Sequence, residues 1–250
     1  MPPKRLALLF IVLAVPIACL AQHPVVSTIP ACESNASQMQ FTPRRTAKTT
    51  AQFVGSKTMP NSLERAVWTM DRELAGRVLS DGADPNAVSS GNKLPLIVIA
   101  AMQGDPLVIA MLLARGANIE AAADRGTPLY WAARQGNLGA VRTLLSCGAN
   151  VHFKAPDGAT PLHMTMGDDN DVEVAAALID AGADLEAQHA GMTPLMEAAL
   201  FGRAAWVELL IKRGANLHAK TSDGASVLAF AKALVNSQEV IEMLVRAGAK

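Results

Sequence analysis

Asp157-Gly158-Ala159-Thr160-Pro161-Leu162-His163 sets a turn, a helix cap and a helix start side by side within seven residues. Asp and Gly suit a tight turn, Thr suits a helix N-cap, and Pro suits the first helical position. Thr-Pro-Leu returns at Thr127 and Thr193, 33 residues to either side, and Ser226-Val227-Leu228 is a degenerate copy at the same interval. Gly-Ala recurs at Gly82, Gly116, Gly148, Gly182, Gly214 and Gly248, at intervals of 34, 32, 34, 32 and 34. Self-similarity at a fixed period in this range marks a solenoid.

Each unit predicts the same local structure. Thr caps a helix that Pro starts, and an Ala-Ala pair lets the next unit approach closely. A Gly such as Gly136 or Gly202 ends that helix. A second helix carries paired aliphatics, such as Val141, Leu144 and Leu145, and closes on a left-handed Gly such as Gly148. A turn containing Asp and Gly leads to the next Thr-Pro. The composition agrees: half the chain is hydrophobic but only 4% is aromatic, so small and aliphatic side chains fill a core of closely stacked helices. The formal charge is zero, which argues against a dedicated nucleic-acid or polybasic membrane binder. Lys4, Arg5, Arg44, Arg45, Lys48 and Lys57 all precede Asn61, so the repeat region itself is mildly acidic.

The 157–163 stretch resembles the signature of the ankyrin repeat. Asp124-Arg125-Gly126-Thr127-Pro128-Leu129 before Ala132-Ala133, and Gly191-Met192-Thr193-Pro194-Leu195 before Ala198-Ala199, are similar. The resemblance implies an all-α repeat fold, an ankyrin solenoid of helix-turn-helix units with short projecting hairpins. Five repeats are read over residues 91–250, behind a divergent N-terminal capping repeat over residues 61–90. Two units depart from the pattern: one has Leu94-Pro95 in place of Thr-Pro, and the unit from Asp223 lacks the Pro. Terminal repeats need polar outer faces, which Glu64, Arg65, Asp71 and Arg72 suit at one end. Ser237, Gln238, Glu239 and Glu242 suit the other, and no further repeat is expected after Lys250.

Residues 1–21 read as a signal peptide. Lys4 and Arg5 precede an apolar run from Leu6 to Val15, and small residues follow up to Ala21. Pro16 breaks the run well short of the ~20 apolar residues a spanning helix needs. An uncleaved anchor is one alternative. Lipid attachment at Cys19 is another, because Ile17-Ala18-Cys19 resembles a bacterial lipoprotein signal, although Pro16 stands where that signal usually has Leu. Residues 22–60 are rich in Ser, Thr, Pro, Ala, Gln and Asn and show no apolar period, so they read as a disordered linker. Asn35-Ala36-Ser37 is a glycosylation sequon, meaningful only in a eukaryotic host. After cleavage Cys32 and Cys147 remain. A disulfide between them is open after export, but the sequence favours two unpaired thiols.

No hydrolase, phosphate-loop, dinucleotide or zinc-protease motif is present. His163 has no nucleophile to activate, and the resemblance implies a structural imidazole bonded to backbone between repeats. His152, Glu186 and His218 share one repeat position, too far apart to hold one ion, and read as solvated hairpin residues. Asp168, Asp169, Asn170 and Asp171 lack the Gly and distal Glu of a calcium loop. No metal, cofactor or catalytic residue is therefore assigned. Trp131 and Trp206 sit where the pattern has core aliphatics.

The two positions after each Ala-Ala face the concave groove, as the resemblance implies. They are Trp68-Thr69, Met102-Gln103, Arg134-Gln135, Gly167-Asp168, Leu200-Phe201 and Ala233-Leu234. Trp68, Met102, Gln103, Arg134, Gln135, Leu200 and Phe201 are the candidate partner-binding residues, because large apolar groups at exposed places mark interaction surfaces. The expected function is a non-catalytic, monomeric binding module, exported to the periplasm or secreted space, with a protein partner. Exported bacterial ankyrin proteins resembling this one include partners of periplasmic enzymes and immunity proteins against toxins. The alternative is a structural envelope protein anchored by lipid or by its leader.

Overall fold

The computed structural model describes residues 62–123, 126–166, 172–233 and 238–250. The leader, the linker, Cys19, Cys32, the sequon, Gly167, Asp168 and the rest of the acidic run to Asp171, and Leu234 lie outside the described residues.

Twelve helices, in six consecutive pairs, account for the described residues, which contain no β-strand. They are α1 (Ser62–Thr69), α2 (Arg72–Ser80), α3 (Leu96–Gln103), α4 (Pro106–Ala114), α5 (Pro128–Arg134), α6 (Leu138–Ser146), α7 (Pro161–Met164), α8 (Val172–Asp180), α9 (Pro194–Leu200), α10 (Ala204–Lys212), α11 (Val227–Ala233) and α12 (Gln238–Ala247). The first helices of the pairs form one layer, with α1 on α3, α3 on α5, α5 on α7, and α9 on α11. The second helices form the other, running from α2 through α4, α6, α8 and α10 to α12. One apolar core extends through both layers from Leu63 to Ala249. Ala66, Ala75, Ala101, Ala132, Ala133, Ala198 and Ala199 are fully buried in it, so the helices approach with little side chain between them. The chain is an all-α repeat solenoid.

Local chemistry sets the helix starts. Thr127, Thr160 and Thr193 accept from the backbone N–H three residues on, and Pro follows each as the first helical residue. Ser226 takes that place for α11, its hydroxyl accepting from the Ala229 N–H at 3.4 Å. At α3 the fit slips by one residue. Pro95 itself occupies the cap position and has no side-chain acceptor, so Leu96 becomes the first helical residue. Burial on every side compensates: Leu96, Ile97, Val98, Ile99, Ala100 and Ala101 are all inaccessible to solvent. In α7 the alanine pair is replaced by Thr165-Met166. The Thr165 hydroxyl donates to the Leu162 carbonyl at 2.6 Å, and the α-helix stops after four residues at Met164.

A ladder of hydrogen bonds crosses the bases of the hairpins. Asp84, Asn118, Asn150, Asp184 and Asn216 each accept from the backbone N–H two residues on. Those second residues are Asn86, Glu120, His152, Glu186 and His218, and three of them reach the next repeat. Asn86 accepts from the Asn118 N–H at 2.7 Å, Glu120 from Asn150 at 2.8 Å and Glu186 from Asn216 at 2.7 Å. Glu186 is thus an inter-repeat link and not merely a solvated hairpin residue. No such bond joins His152 to Asp184 among the described residues.

The polar ends differ from expectation. Glu64 is buried, its Oε1 accepting from the Ser90 N–H at 2.9 Å and from the Ser90 hydroxyl at 3.1 Å. Arg72 is half-buried and pairs with Asp105 at 2.9 Å. Both tie the first pair to its neighbour, because Ser90 and the buried Asp105 supply polar partners. Gln238, Glu239 and Glu242 are exposed at the other end. Cys147 is disulfide-bonded, which overturns the reading of two unpaired thiols.

Candidate functional site

The anticipated groove residues lie at the C-terminal ends of first-layer helices, where a helix turns toward its partner. Trp68 is half-buried and packs against the core. Its carbonyl accepts from the Gln103 side chain at 3.2 Å, so Trp68 and Gln103 meet across the first two pairs. Met102 is half-buried, and its carbonyl accepts from Asn137 at 2.8 Å. Gln135, the last residue of α5's cap, is half-buried. Arg134 is exposed, with its guanidinium 5.3 Å from the Trp131 ring centroid. Leu200 is half-buried, and Phe201 is 56% exposed, an unusual state for so large an apolar ring. No described contact joins the Leu200–Phe201 end to Arg134.

Trp206 is buried in the core, 1% exposed, whereas Trp131 is only half-buried. Trp131 belongs to a separate cluster at the hairpin side, formed by Tyr130, Ala155 and Ala159 with Trp131, Phe153 and Met164 packed around them. Tyr130 meets Trp131 edge-on at 5.6 Å and Phe153 at 6.0 Å. Trp131 Nε1 donates to the Ala123 carbonyl at 3.3 Å. Gly126 makes room for this arrangement, since a Cβ there would lie 2.2 Å from the Tyr130 ring. The sequence held one signal for this patch. Trp131 is three residues before Arg134, so the two share a helix face, and a face that carries an exposed Arg is not a core face.

A polar cluster lies next along the stack. His163 is buried, and its Nδ1 accepts from the Thr160 N–H at 3.2 Å and lies 2.7 Å from the Thr160 hydroxyl. These bonds stay within the repeat, while the Ala187 backbone of the next repeat also bears on the ring, in the sense of the inter-repeat backbone bond that the resemblance implies. The contact across repeats is to the His189 ring, edge-on at 5.5 Å. His189 Nδ1 lies 2.8 Å from Glu197 Oε1. Burial lowers the His163 pKa to about 4, with the His189 charge and Lys154 acting in the same sense. The Ala187 backbone and Asp184 oppose the shift. Burial raises the Glu197 pKa, and the bond to His189 works against it. His189 and Glu197 escaped the sequence reading because they are joined across a turn rather than by any periodic spacing. Among the described residues no three His, Cys, Asp or Glu side chains are grouped to hold a metal ion.

Comparison with known proteins agrees with this architecture. The family pattern for ankyrin repeats (3 copies) matches residues 63–155, 147–221 and 164–250. The neurogenic locus notch homolog protein 1 of Mus musculus is 30% identical over 189 residues, covering 70% of this chain and 7% of that protein. The transient receptor potential cation channel subfamily A member 1 of Homo sapiens is 28% identical over 196 residues, covering 61% of this chain and 17% of the channel. Ankyrin repeat and SOCS box protein 11 of Danio rerio is 31% identical over 122 residues, covering 49% and 40% respectively. This chain therefore spans well under half the length of each of these relatives. Ankyrin repeats are in general non-catalytic protein-interaction modules, and no enzyme family is indicated. With matches running from residue 63 to residue 250, across all six helix pairs, the chain belongs to the ankyrin-repeat family.

Proposed function

We propose that this protein is an exported, non-catalytic binding module that works as a monomer and engages a protein partner through the first-helix layer. The observation that carries the reading is Phe201, 56% exposed at the end of α9 beside half-buried Leu200. An exposed aromatic ring next to an aliphatic one gives a partner apolar area to desolvate, which is how binding hot spots arise. Arg134 above Trp131 adds a second anchor of the type enriched at interfaces. The apolar leader ending at Ala21 supports export to a periplasmic or secreted space, where an exported enzyme or toxin is the partner that suits such a module. The alternative is an envelope protein anchored by lipid at Cys19 or by an uncleaved leader, and membrane fractionation separates the two.

The test is capture of the partner by the mature chain from its native host, followed by variants. Phe201→Ala is expected to weaken the complex by about 2 kcal/mol or more while leaving the melting curve nearly unchanged. Normal binding by Phe201→Ala, with binding abolished by Phe153→Ala, would move the site to the hairpin cluster. The export reading predicts a mature N-terminus at Gln22, and intact Met1 in a soluble cytoplasmic fraction would overturn it.

A further inference from the structure

The junction between the fourth and fifth helix pairs is packed differently from the rest. α3 lies on α5, α5 on α7 and α9 on α11, but α7 and α9 make weak contact at most. In the second layer, α8 and α10 touch less than α6 and α8 do. Two local causes are visible. α7 is only four residues long, and Thr165-Met166 stand where the units on either side have Ala-Ala. Polar side chains bridge this junction. His163 of α7 meets the ring of His189, from the turn ahead of α9, edge-on at 5.5 Å. His189 in turn bonds to the buried Glu197 of α9 at 2.8 Å. His163 Nδ1 accepts from the Thr160 N–H at 3.2 Å, so the closed junction calls for a ring with no proton on that atom. A proton there would set one N–H against another at a side chain only 3% exposed, where water cannot relieve the conflict.

We propose that this junction is a joint that acid opens: protonation of the facing imidazoles parts α7 from the turn and helix of the next repeat, while the helices on either side stay folded. Two charged rings 5.5 Å apart repel each other, and burial limits the screening by water and salt. The Lys154 charge adds to the repulsion on His163, and Asp184 opposes it. Glu197 opposes opening too. Burial raises its pKa, so the closed junction takes up that proton first as pH falls. His163 sets the direction. In the closed junction burial lowers its pKa to about 4, whereas a parted, hydrated ring returns toward 6.5. Between those values the open form binds more protons. Closure is therefore favoured at neutral pH and is lost as pH falls through that window. At pH 4.5 this one group shifts the balance toward opening by a factor on the order of 50. The weak packing of α7 on α9 is what lets so local a bias act at this junction first.

The experiment is hydrogen exchange of the full chain at pH 7 and pH 4.5, read by mass spectrometry on peptides, with labelling times scaled for the acid dependence of chemical exchange. Protection over residues 160–165 and 187–197 is expected to fall at least ~10-fold at the lower pH, while α3–α6 and α10–α12 keep theirs. In His163→Gln the side-chain carbonyl accepts from the Thr160 N–H and takes no proton, so the junction stays protected at both pH values. His189→Gln removes the facing ring and moves the opening to lower pH. Equal protection at both pH values overturns the proposal. So does a loss spread evenly over all the helices, or the same acid-induced loss in His163→Gln as in the natural chain. Where circular dichroism shows His163→Gln to be unfolded at pH 7, His189→Gln decides, and an opening that does not move overturns the proposal. No partner enters the measurement, so its outcome is independent of the export and binding readings.

Discussion

Leu162 and His163 are adjacent in the chain and make opposite demands. Leu162 is 1% exposed in the core between repeats, so Leu162→Ala is expected to cost about 2–5 kcal/mol in chemical denaturation, with little chance for the site to collapse. Trp206→Ala, at another fully buried side chain, is expected to cost roughly 3–5 kcal/mol and serves as the destabilised control for Phe201→Ala. His163 is a base held neutral by burial, with a pKa lowered from 6.5 to about 4. The unfolded chain therefore binds more protons between those values, and stability rises with pH across that window. Acidification from pH 7 to pH 4 is expected to remove on the order of 3 kcal/mol through this group. Glu197 works in the opposite sense, because its raised pKa makes the folded state bind protons first as pH falls. Comparing urea midpoints of the natural chain and His163→Gln from pH 7 to pH 4 isolates the histidine. Parallel curves would remove His163 as the source. Nothing in the sequence disclosed this coupling, since it depends on His189 and on burial.

At the scale of helices and hairpins, much was readable because each unit obeys local rules. Thr caps, the Pro after them and the closing Gly are short-range features, and the structure shows them at α5 and α9. The misreadings came from contacts that span repeats. Glu64 reads as an outer cap residue because its sequence neighbours are polar, yet its hydrogen-bond partner, Ser90, lies 26 residues away. Trp131 holds a core position of the repeat pattern, but its surroundings come from hairpin residues Ala155 and Phe153. The ladder at the hairpin bases is a case where the pattern was visible and its use was not. His152 stands where Asn86, Glu120 and Glu186 provide an acceptor for the next repeat. His152→Asn is expected to restore the missing bond to the Asp184 N–H and raise stability by about 0.5–1.5 kcal/mol. An unchanged urea midpoint would show that the Asp184 amide is already satisfied by solvent.

Across the whole molecule, stability in a solenoid is a sum of repeat and junction terms. The junction after His152 lacks its cross-repeat bond, and α7 beyond it has only four residues. Two-stage unfolding is therefore expected, with the hydrogen-exchange protection of α1–α6 lost separately from that of α9–α12. A single coincident transition at every amide would show the junction to be as strong as its neighbours. The candidate anchors lie on either side of this place: Trp131 and Arg134 before it, Leu200 and Phe201 after it. The stack then acts as a beam with one compliant joint. Flexure there sets the spacing between the two halves of the binding face, so a partner that grips both sides selects a curvature as well as a chemical surface.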